Sequence, residues 1–288
     1  MKKLAICIPT YNRDKLLDRL LKSIPKFNDI VVSICDDGSK DNTNQIIKNH
    51  QNRLSINYIY QQNRGRASAL RKSILNVKAE FFMLVDSDDY FEKDGIETIY
   101  NFIKDNSSEG FFVFPTRIVK NSKSMAVSLS DIPKTSYITL RSDYKIKYDL
   151  QEVIHSKILL EVLYEDPIDI RRIPTSYLWF KASEKAKCIP VDCEPVKTKE
   201  YLDDGMTANL LPLKIRYPKY MVYKYKIALE SKDYRSLSYR FKYKILFYRY
   251  CFHNRSIKLS NFGDFLFYFI GFIYGFFDLL RLVIFFKK

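Results

Sequence analysis

The sequence predicts an α/β fold in which a mostly parallel sheet is flanked by helices and followed by a C-terminal helical region of different character. Three observations carry this. Short apolar runs alternate with helix-period segments over residues 1–115, and three of those runs end in polar signatures. The basic and aromatic excess is confined to the C-terminal end.

The elements follow in order. Residues 4–8 form an apolar run closed by Pro9, and Leu16, Leu17, Leu20, Leu21 and Ile24 then recur at helical spacing. Residues 30–35 read as a second strand, broken by Asp36-Asp37-Gly38-Ser39, and Asp41 or Asn42 caps a helix running toward Asn52. Residues 56–60 are a third strand, followed by a helix over 66–77 with Ala69, Leu70, Ile74 and Val77 inward. Residues 81–85 are a fourth strand, ending in Asp86-Ser87-Asp88-Asp89. A helix over 94–104 and a strand at 111–114 complete the pattern. Strands buried on both faces and joined by helices imply parallel pairing with right-handed crossovers. Ligands in such sheets sit beyond the C-terminal strand ends, which directs attention to residues 9–13, 36–39 and 86–89. Residues 116–213 are less regular, with Pro at 133, 167, 174, 190, 195 and 212.

Composition bounds the function. The chain has 288 residues, 47% hydrophobic and 28% charged, so a core can be buried and intrinsic disorder is excluded. The formal net charge is +15, and residues 214–258 hold 13 Lys/Arg against only Glu230 and Asp233. A basic, aromatic-rich chain points to a polyanionic partner, either nucleic acid, an anionic membrane or a phosphorylated substrate. Five scattered cysteines, with no His near Cys188 and Cys193 to complete a zinc site, point to a reduced, cytosolic setting. The apolar run after Met1-Lys2-Lys3 is too short for a signal peptide, so the catalytic part is expected to stay in the cytoplasm.

Asp86-Ser87-Asp88-Asp89 is the sharpest chemical signal. In extended backbone, residues two apart face the same way, so Asp86 and Asp88 can address one ligand. Hard carboxylate oxygens suit Mg²⁺ or Mn²⁺, which bind through one or two carboxylates plus substrate phosphates. A solvated acidic turn capping the next helix is the alternative. Asp36-Asp37-Gly38-Ser39 is either a turn or an acceptor for a ribose or nucleobase N–H. Residues 9–13 contain no glycine, so the phosphate-cradling dinucleotide fingerprint is missing, and no Walker-type loop is present. Asn63-Arg64-Gly65-Arg66, followed by Ala69 and Arg71, opens a helix as an anion site or as a turn with a basic solvated face.

The order Pro-Thr-Tyr-Asn-Arg, Asp-Asp-Gly-Ser, Asn-Arg-Gly and Leu-Val-Asp-Ser-Asp-Asp resembles the donor-binding half of the family 2 glycosyltransferases of Rossmann-like GT-A fold, over residues 1–115. The resemblance implies a nucleotide-sugar donor, most often UDP-linked, and Mn²⁺ or Mg²⁺. It places the loop of Pro9, Thr10, Tyr11, Asn12 and Arg13 at the nucleotide, with Asp36 or Asp37 near the base. Arg71 falls where the family often has a diphosphate-side arginine, and Asn63 and Gly65 are expected at the donor site. Asp86 lies near the ribose and the cation, Ser87 between, Asp88 at the cation and Asp89 nearby. Residues 116–213 are then the acceptor-binding and catalytic half. There Asp203-Asp204-Gly205-Met206-Thr207 looks like the family's acidic pair, with Asp204 as base and Asp203 as runner-up; the alternative is a helix cap over 206–211. Arg171 and Arg172 line the acceptor side or a solvated loop, Trp179 stacks on a sugar or belongs to the core, and His155 has no assigned chemistry. No Gln-x-x-Arg-Trp signature of processive members is present, which favours addition of one sugar.

Residues 214–288 are expected to associate with a membrane. The uncharged stretch 265–277 is short for a span, and a span would bury Asp278 and Arg281. Basic helices followed by an apolar helix lying in an anionic leaflet cost less. A helical hairpin, intramolecular or joining two copies, and a single span stay open, as does an oligomer through these helices. The expected protein is a metal-dependent, inverting hexosyl- or N-acetylhexosaminyltransferase on the cytoplasmic face of the cell membrane, peripheral or monotopic. It would act on a membrane-anchored acceptor such as a lipid-linked oligosaccharide in surface-polysaccharide assembly. The rivals are a nucleic-acid-binding protein, for which no recognition motif is present, and a catalytically silent sugar-binding module.

Overall fold

The computed structural model describes residues 1–120, 122–166, 170–201, 210–256 and 264–285. The chain forms two compact units that interleave along the sequence. The first comprises Met1–Thr135, Ile146–Arg171 and Lys185–Leu202, and the second Ser136–Lys145, Arg172–Glu184 and Asp203–Lys288. Segments from the middle of the chain complete both units.

The first unit opens with β1 (Lys2–Thr10), α1 (Asp14–Ser23), β2 (Ile30–Asp36), α2 (Thr43–His50), β3 (Ile56–Tyr60), α3 (Arg66–Leu75) and β4 (Ala79–Leu84). It continues through β5 (Tyr90–Phe91), α4 (Gly95–Asp105), β6 (Phe111–Phe114), β7 (Thr116–Lys120) and β8 (Lys123–Ala126). In the second unit lies α5 (Tyr137–Ser142); the first unit resumes with β9 (Gln151–His155) and α6 (Ser156–Val162). After α7 (Thr175–Ala182) in the second unit, β10 (Ile189–Pro190) and β11 (Lys197–Glu200) close the first.

Its main sheet has the order β10-β6-β9-β4-β1-β2-β3. Strands β3, β2, β1 and β4 are mutually parallel, and β9 runs antiparallel to both β4 and β6. Residues 4–10 of β1 are all buried because the strand sits mid-sheet with helices over it. Leu17, Leu20 and Leu21 of α1 and Ile96, Ile99 and Ile103 of α4 join Leu4, Ile6, Ile8, Phe112 and Phe114 in one core. Each such side chain contributes about 1.5–3 kcal/mol on burial. The edge strand β3 departs from the expected two-sided burial: its side chains are half-buried and Tyr60 is exposed. Helix α3 ends at Leu75, leaving Val77 outside it.

A second sheet, β5-β11-β7-β8, has no counterpart in the sequence reading. Its strands are two to five residues long and carry Lys, Arg and Thr rather than an apolar run, so alternation was weak there. Strand β11 delivers Lys197 and Lys199 to the β4 end, as described below.

The second unit adds α8 (Leu210–Arg216), α9 (Lys219–Glu230), α10 (Leu237–His253) and α11 (Phe265–Phe285) to α5 and α7. Its interior is built from rings: Tyr177 on Tyr220, Tyr225 stacked on Tyr250, and Phe180 against Tyr243. Trp179 is 2% exposed, so it belongs to this core and is not a sugar platform. Helices α10 and α11 run in the same sense, since Lys244 meets Asp264, Tyr248 meets Tyr268 and His253 meets Asp278. They are therefore not an antiparallel hairpin.

Gly95 opens α4 where a Cβ would lie 2.1 Å from the Val196 carbonyl oxygen, a backbone atom that cannot swing aside. Gly95→Ala is expected to lower stability by about 1–3 kcal/mol through overpacking. A thermal melt of the metal-free protein checks this, and an unchanged midpoint contradicts it.

Candidate functional site

Parallel register brings the three polar loops to one edge of the sheet. Thr10 pairs with Asp36 across β1 and β2, and Cys7 pairs with Leu84 across β1 and β4. The chain then knits the loops together. Asp37 N donates to the Thr10 carbonyl at 2.8 Å, Asn12 N to Ser39 Oγ at 2.9 Å, and Lys40 N to Asn12 Oδ1 at 2.8 Å. Asn12 sits at φ 49°, a left-handed conformation that Asn tolerates better than most residues. Pro9 and Thr10 are buried, Tyr11 is exposed, and the Arg13 carbonyl receives the Leu17 N–H that opens α1.

Both aspartates after β2 are buried and hold donors of their own chain. Asp36 accepts from Ser39 N at 2.8 Å and from the Tyr58 hydroxyl at 3.2 Å. Asp37 accepts from Gln61 Nε2 at 2.6 Å, Arg64 N at 2.8 Å and Gly65 N at 2.8 Å. Asp37 is thus the clamp that fixes the turn before α3. Gly65 stands at φ +92°, and a Cβ there would lie 2.4 Å from the Arg171 Cα, so only glycine fits. Asn63 and Arg64 are exposed, and Arg64 pairs with Asp166 at 3.0 Å. Arg71 donates through Nε to the Tyr164 carbonyl at 3.1 Å.

The β4 end concentrates charge. Arg66 donates twice to Asp86 Oδ1, with Nε at 2.9 Å, while Lys199 Nζ lies 3.3 Å from Asp86 Oδ2 and 3.2 Å from Asp149. Burial alone would raise the Asp86 pKa, but Arg66 and Lys199 outweigh it and hold the carboxyl well below the usual range. Lys197 pairs with Asp89, both almost fully buried. Arg19 donates to the Asp88 carbonyl at 2.7 Å and to Glu200 at 2.7 Å, its guanidinium over the Tyr90 ring. Asp88 is different. Its carboxylate makes no ion pair among the described residues, and burial, then Asp86 and Asp89, push its pKa up to about 6.

In the first unit, buried Thr10 Oγ1, Asp89 Oδ1 and Gln151 Oε1, and the donor Arg19 Nε, lack a partner among the described residues. Ser87 is buried between Asp86 and Asp88. The β4–β9 register, Met83 opposite Val153, sets Gln151 level with residue 85. The edge therefore offers mostly acceptors, which suits a ligand bringing hydroxyls, N–H groups or a divalent cation. Among the described residues no group of three His, Cys, Asp or Glu is gathered as a metal cluster. A Mg²⁺- or Mn²⁺-type ion needs none when one or two carboxylates and substrate phosphates hold it. Asp88, with Asp86 beside it, fits that requirement.

The structure thus brings together Thr10, Asn12, Asp36, Asp37, Gly65, Asp86, Ser87 and Asp88. Asp203 and Asp204 lie outside the described residues. Arg19, Lys197, Lys199 and Gln151 were not anticipated, and Arg66 was read only as part of a basic helix start. The one available signal was Lys197-x-Lys199, two cations on one side of a strand. His155 is structural, its Nδ1 accepting from Lys157 N at the start of α6 and its ring edge-on to Phe81. No disulfide joins the cysteines, all of which carry thiols.

A parallel-rich sheet whose polar loops after β1, β2 and β4 meet at one edge is the architecture of the GT-A fold. The family model for glycosyl transferase family 2 matches residues 5–158, more than half of the chain, and the chain belongs to that family. Poly(ribitol-phosphate) beta-N-acetylglucosaminyltransferase TarP of Staphylococcus aureus (strain N315) is 34% identical over 116 residues, 38% of this chain and 35% of its own length. The crystal structure of S. aureus TarS 1-349 in complex with UDP-GlcNAc superposes with a TM-score of 0.68 at 17% identity, covering 93% of this chain and 79% of that one. The mannosyltransferase PcManGT from Pyrobaculum calidifontis, in complex with GDP-Man and Mn²⁺, gives 0.57 at 14% identity, covering 97% and 86%. These structures share the fold. The matched segment spans about a third or less of the length of the curated relatives.

The raised Asp88 pKa has a testable sign. The unfolded carboxyl titrates near 3.8 and the folded one near 6, so the folded state prefers the protonated form. The resulting penalty is absent below pH 4 and complete above about pH 6. In metal-free buffer at pH 8, Asp88→Asn is expected to be more stable than the wild type by about 1–3 kcal/mol. Urea melts at pH 8 and pH 4 check it: the gain should vanish at the lower pH, and a destabilised variant at pH 8 contradicts the assignment.

Proposed function

We propose that this glycosyltransferase is inverting and metal-dependent and moves a single hexosyl or N-acetylhexosaminyl unit from a UDP-linked donor to a membrane-anchored acceptor. Surface-polysaccharide assembly on the cytoplasmic membrane face, with a lipid-linked oligosaccharide as acceptor, is the setting we favour. The observation that carries the reading is the Asp88 carboxylate, without an ion-pair partner among the described residues, beside an Asp86 already held by Arg66 and Lys199. The complex of TarS 1-349 with UDP-GlcNAc supports a uridine donor, and the poly(ribitol-phosphate) beta-N-acetylglucosaminyltransferases TarP and TarS support an N-acetylhexosaminyl unit as the sugar transferred.

Each residue then has a defined task. The loop of Thr10 to Arg13 and the Asp37-clamped turn bind the nucleotide, and Asp86 orients the ribose side. Asp88, with Asp86 adjacent, would hold the divalent ion, which supplies positive charge to the departing diphosphate when bound. Asp204, with Asp203 as the second choice, takes the proton from the acceptor hydroxyl as its oxygen bonds to the anomeric carbon and the bond to the diphosphate oxygen breaks. The products are the inverted glycoside and the nucleoside diphosphate, with the proton on the aspartate. The open carboxylate also favours this reading over a silent sugar-binding module, and membership of the family favours it over nucleic-acid binding.

A panel of nucleotide sugars with a lipid-diphosphate-sugar acceptor and Mn²⁺ or Mg²⁺, read by product mass, tests the reading directly. Asp88→Ala is expected to abolish metal-dependent turnover. Asp204→Asn is expected to slow transfer by about 10²–10⁴-fold while leaving donor affinity nearly unchanged. A normal rate in Asp204→Asn removes Asp204 as the base, and transfer from GDP-mannose alone overturns the uridine donor.

A further inference from the structure

Helix α11 has its polarity reversed. A helix on a water-exposed surface turns apolar residues inward and charges outward. Here the inward positions are Asp264, Gly271, Gly275 and Asp278, all buried. Outward stand Phe265 (56% exposed), Phe269 (52%), Phe272 (39%) and Phe276 (50%), spaced at four, three and four residues along one helical stripe. Leu266 and Phe277 widen it.

The inward carboxylates are neutralised by α10. Lys244 Nζ lies 2.7 Å from Asp264 Oδ1, and the Tyr248 hydroxyl donates to Asp264 Oδ2 at 3.0 Å. Arg249 donates twice to Asp278, with Nε at 2.7 Å, and His253 Nε2 lies 3.0 Å from Asp278 Oδ2. Gly271 and Gly275 make the approach close enough for these bonds. A Cβ at Gly271 would lie 2.7 Å from the Tyr248 Cβ, and one at Gly275 would lie 2.5 Å from the Phe252 ring. Glycines four apart, backbone contact and ion pairs inside the helix pair are how helices associate in an apolar solvent, where burying oil against oil gains nothing.

We infer that the outer stripe of α11 lies in the headgroup–acyl boundary of an anionic lipid leaflet, with α10 and α11 entering as a pair whose charges are cancelled internally. The charge pattern selects lipid over a second copy of the chain. Residues 214–258 carry 13 cations against two acids, which an anionic leaflet attracts and an identical surface repels. Arg235, Lys242 and Arg255 are exposed on or beside α10. Among the described residues no helix is long and apolar enough to cross a membrane, which fits an interfacial position and not a span. The internal pairing also removes the objection that Asp278 raises against insertion, because its charge is already matched before the lipid is met. This inference does not depend on the proposed reaction and is tested without donor or acceptor.

The test is co-sedimentation of the full chain with vesicles of phosphatidylcholine alone or of equimolar phosphatidylcholine and phosphatidylglycerol. The wild type is expected to partition onto the mixed vesicles. The double variant Phe269→Glu, Phe276→Glu changes two exposed side chains and should keep its circular dichroism spectrum and melt while partition falls by roughly tenfold or more. Phe269→Trp preserves the apolar character, and its added emission should be quenched by brominated acyl chains above the wild-type baseline. Failure of the wild type to sediment, equal binding to both vesicle types, or unchanged partition of the double variant overturns the inference. Quenching of the Phe269→Trp signal by aqueous iodide and not by bromolipid does so as well. A vesicle-independent dimer that the double variant dissociates, with no lipid binding, assigns the stripe to a second copy instead.

Discussion

The pairing of Asp86 with Arg66 and Lys199 is the interaction on which the sheet edge depends. A carboxylate at the mouth of a buried parallel strand is costly to desolvate unless cations meet it. Arg66 comes from the first turn of α3 and Lys199 from β11, so one carboxylate fixes a helix start and a strand of the second sheet. Removing either cation would leave charge uncompensated in a partly buried site. The consequence for chemistry lies at Asp88. With Asp86 clamped and Asp89 tied to Lys197, Asp88 is the one of these three aspartates whose carboxylate makes no ion pair among the described residues.

The same logic of internal matching operates in the second unit with the opposite outcome outside. There Asp264 and Asp278 are matched by Lys244, Arg249 and His253 between two helices, and the face left over is aromatic instead of acidic. In the first unit, matching leaves an acceptor-rich edge for a polar ligand. In the second it leaves an apolar stripe beside a strongly basic segment. The net charge of +15 is thus concentrated in residues 214–258, while the acidic residues of the first unit cluster after β2 and β4.

What the sequence made legible follows from how local each signal was. Strands β1, β2 and β4 are apolar runs closed by polar signatures, and the order of those signatures pointed to the family to which the chain belongs. The second sheet was illegible because β5, β7, β8 and β11 are short and polar and are held by pairings distant in the chain, such as Lys197 with Phe91. Arg19, Lys197 and Lys199 were missed for the same reason, since their roles exist only once β11 lies against the β4 end. Trp179 was ambiguous in sequence because a ring serves a core or a sugar equally well, and burial decided it. The polarity of α11 was hidden because Asp278 read only as a charge that burial would penalise. Its partners Arg249 and His253 stand 29 and 25 residues earlier.

Under the proposed function, Asp88 is the carboxylate reserved for a cation that arrives with the donor diphosphate. Isothermal titration of UDP into the wild type and Asp88→Asn, each with and without Mn²⁺, measures this most directly. Mn²⁺ is expected to tighten UDP binding to the wild type by about tenfold or more, equivalent to about 1.4 kcal/mol, and to leave Asp88→Asn unchanged. Equal Mn²⁺ enhancement in both proteins would contradict it.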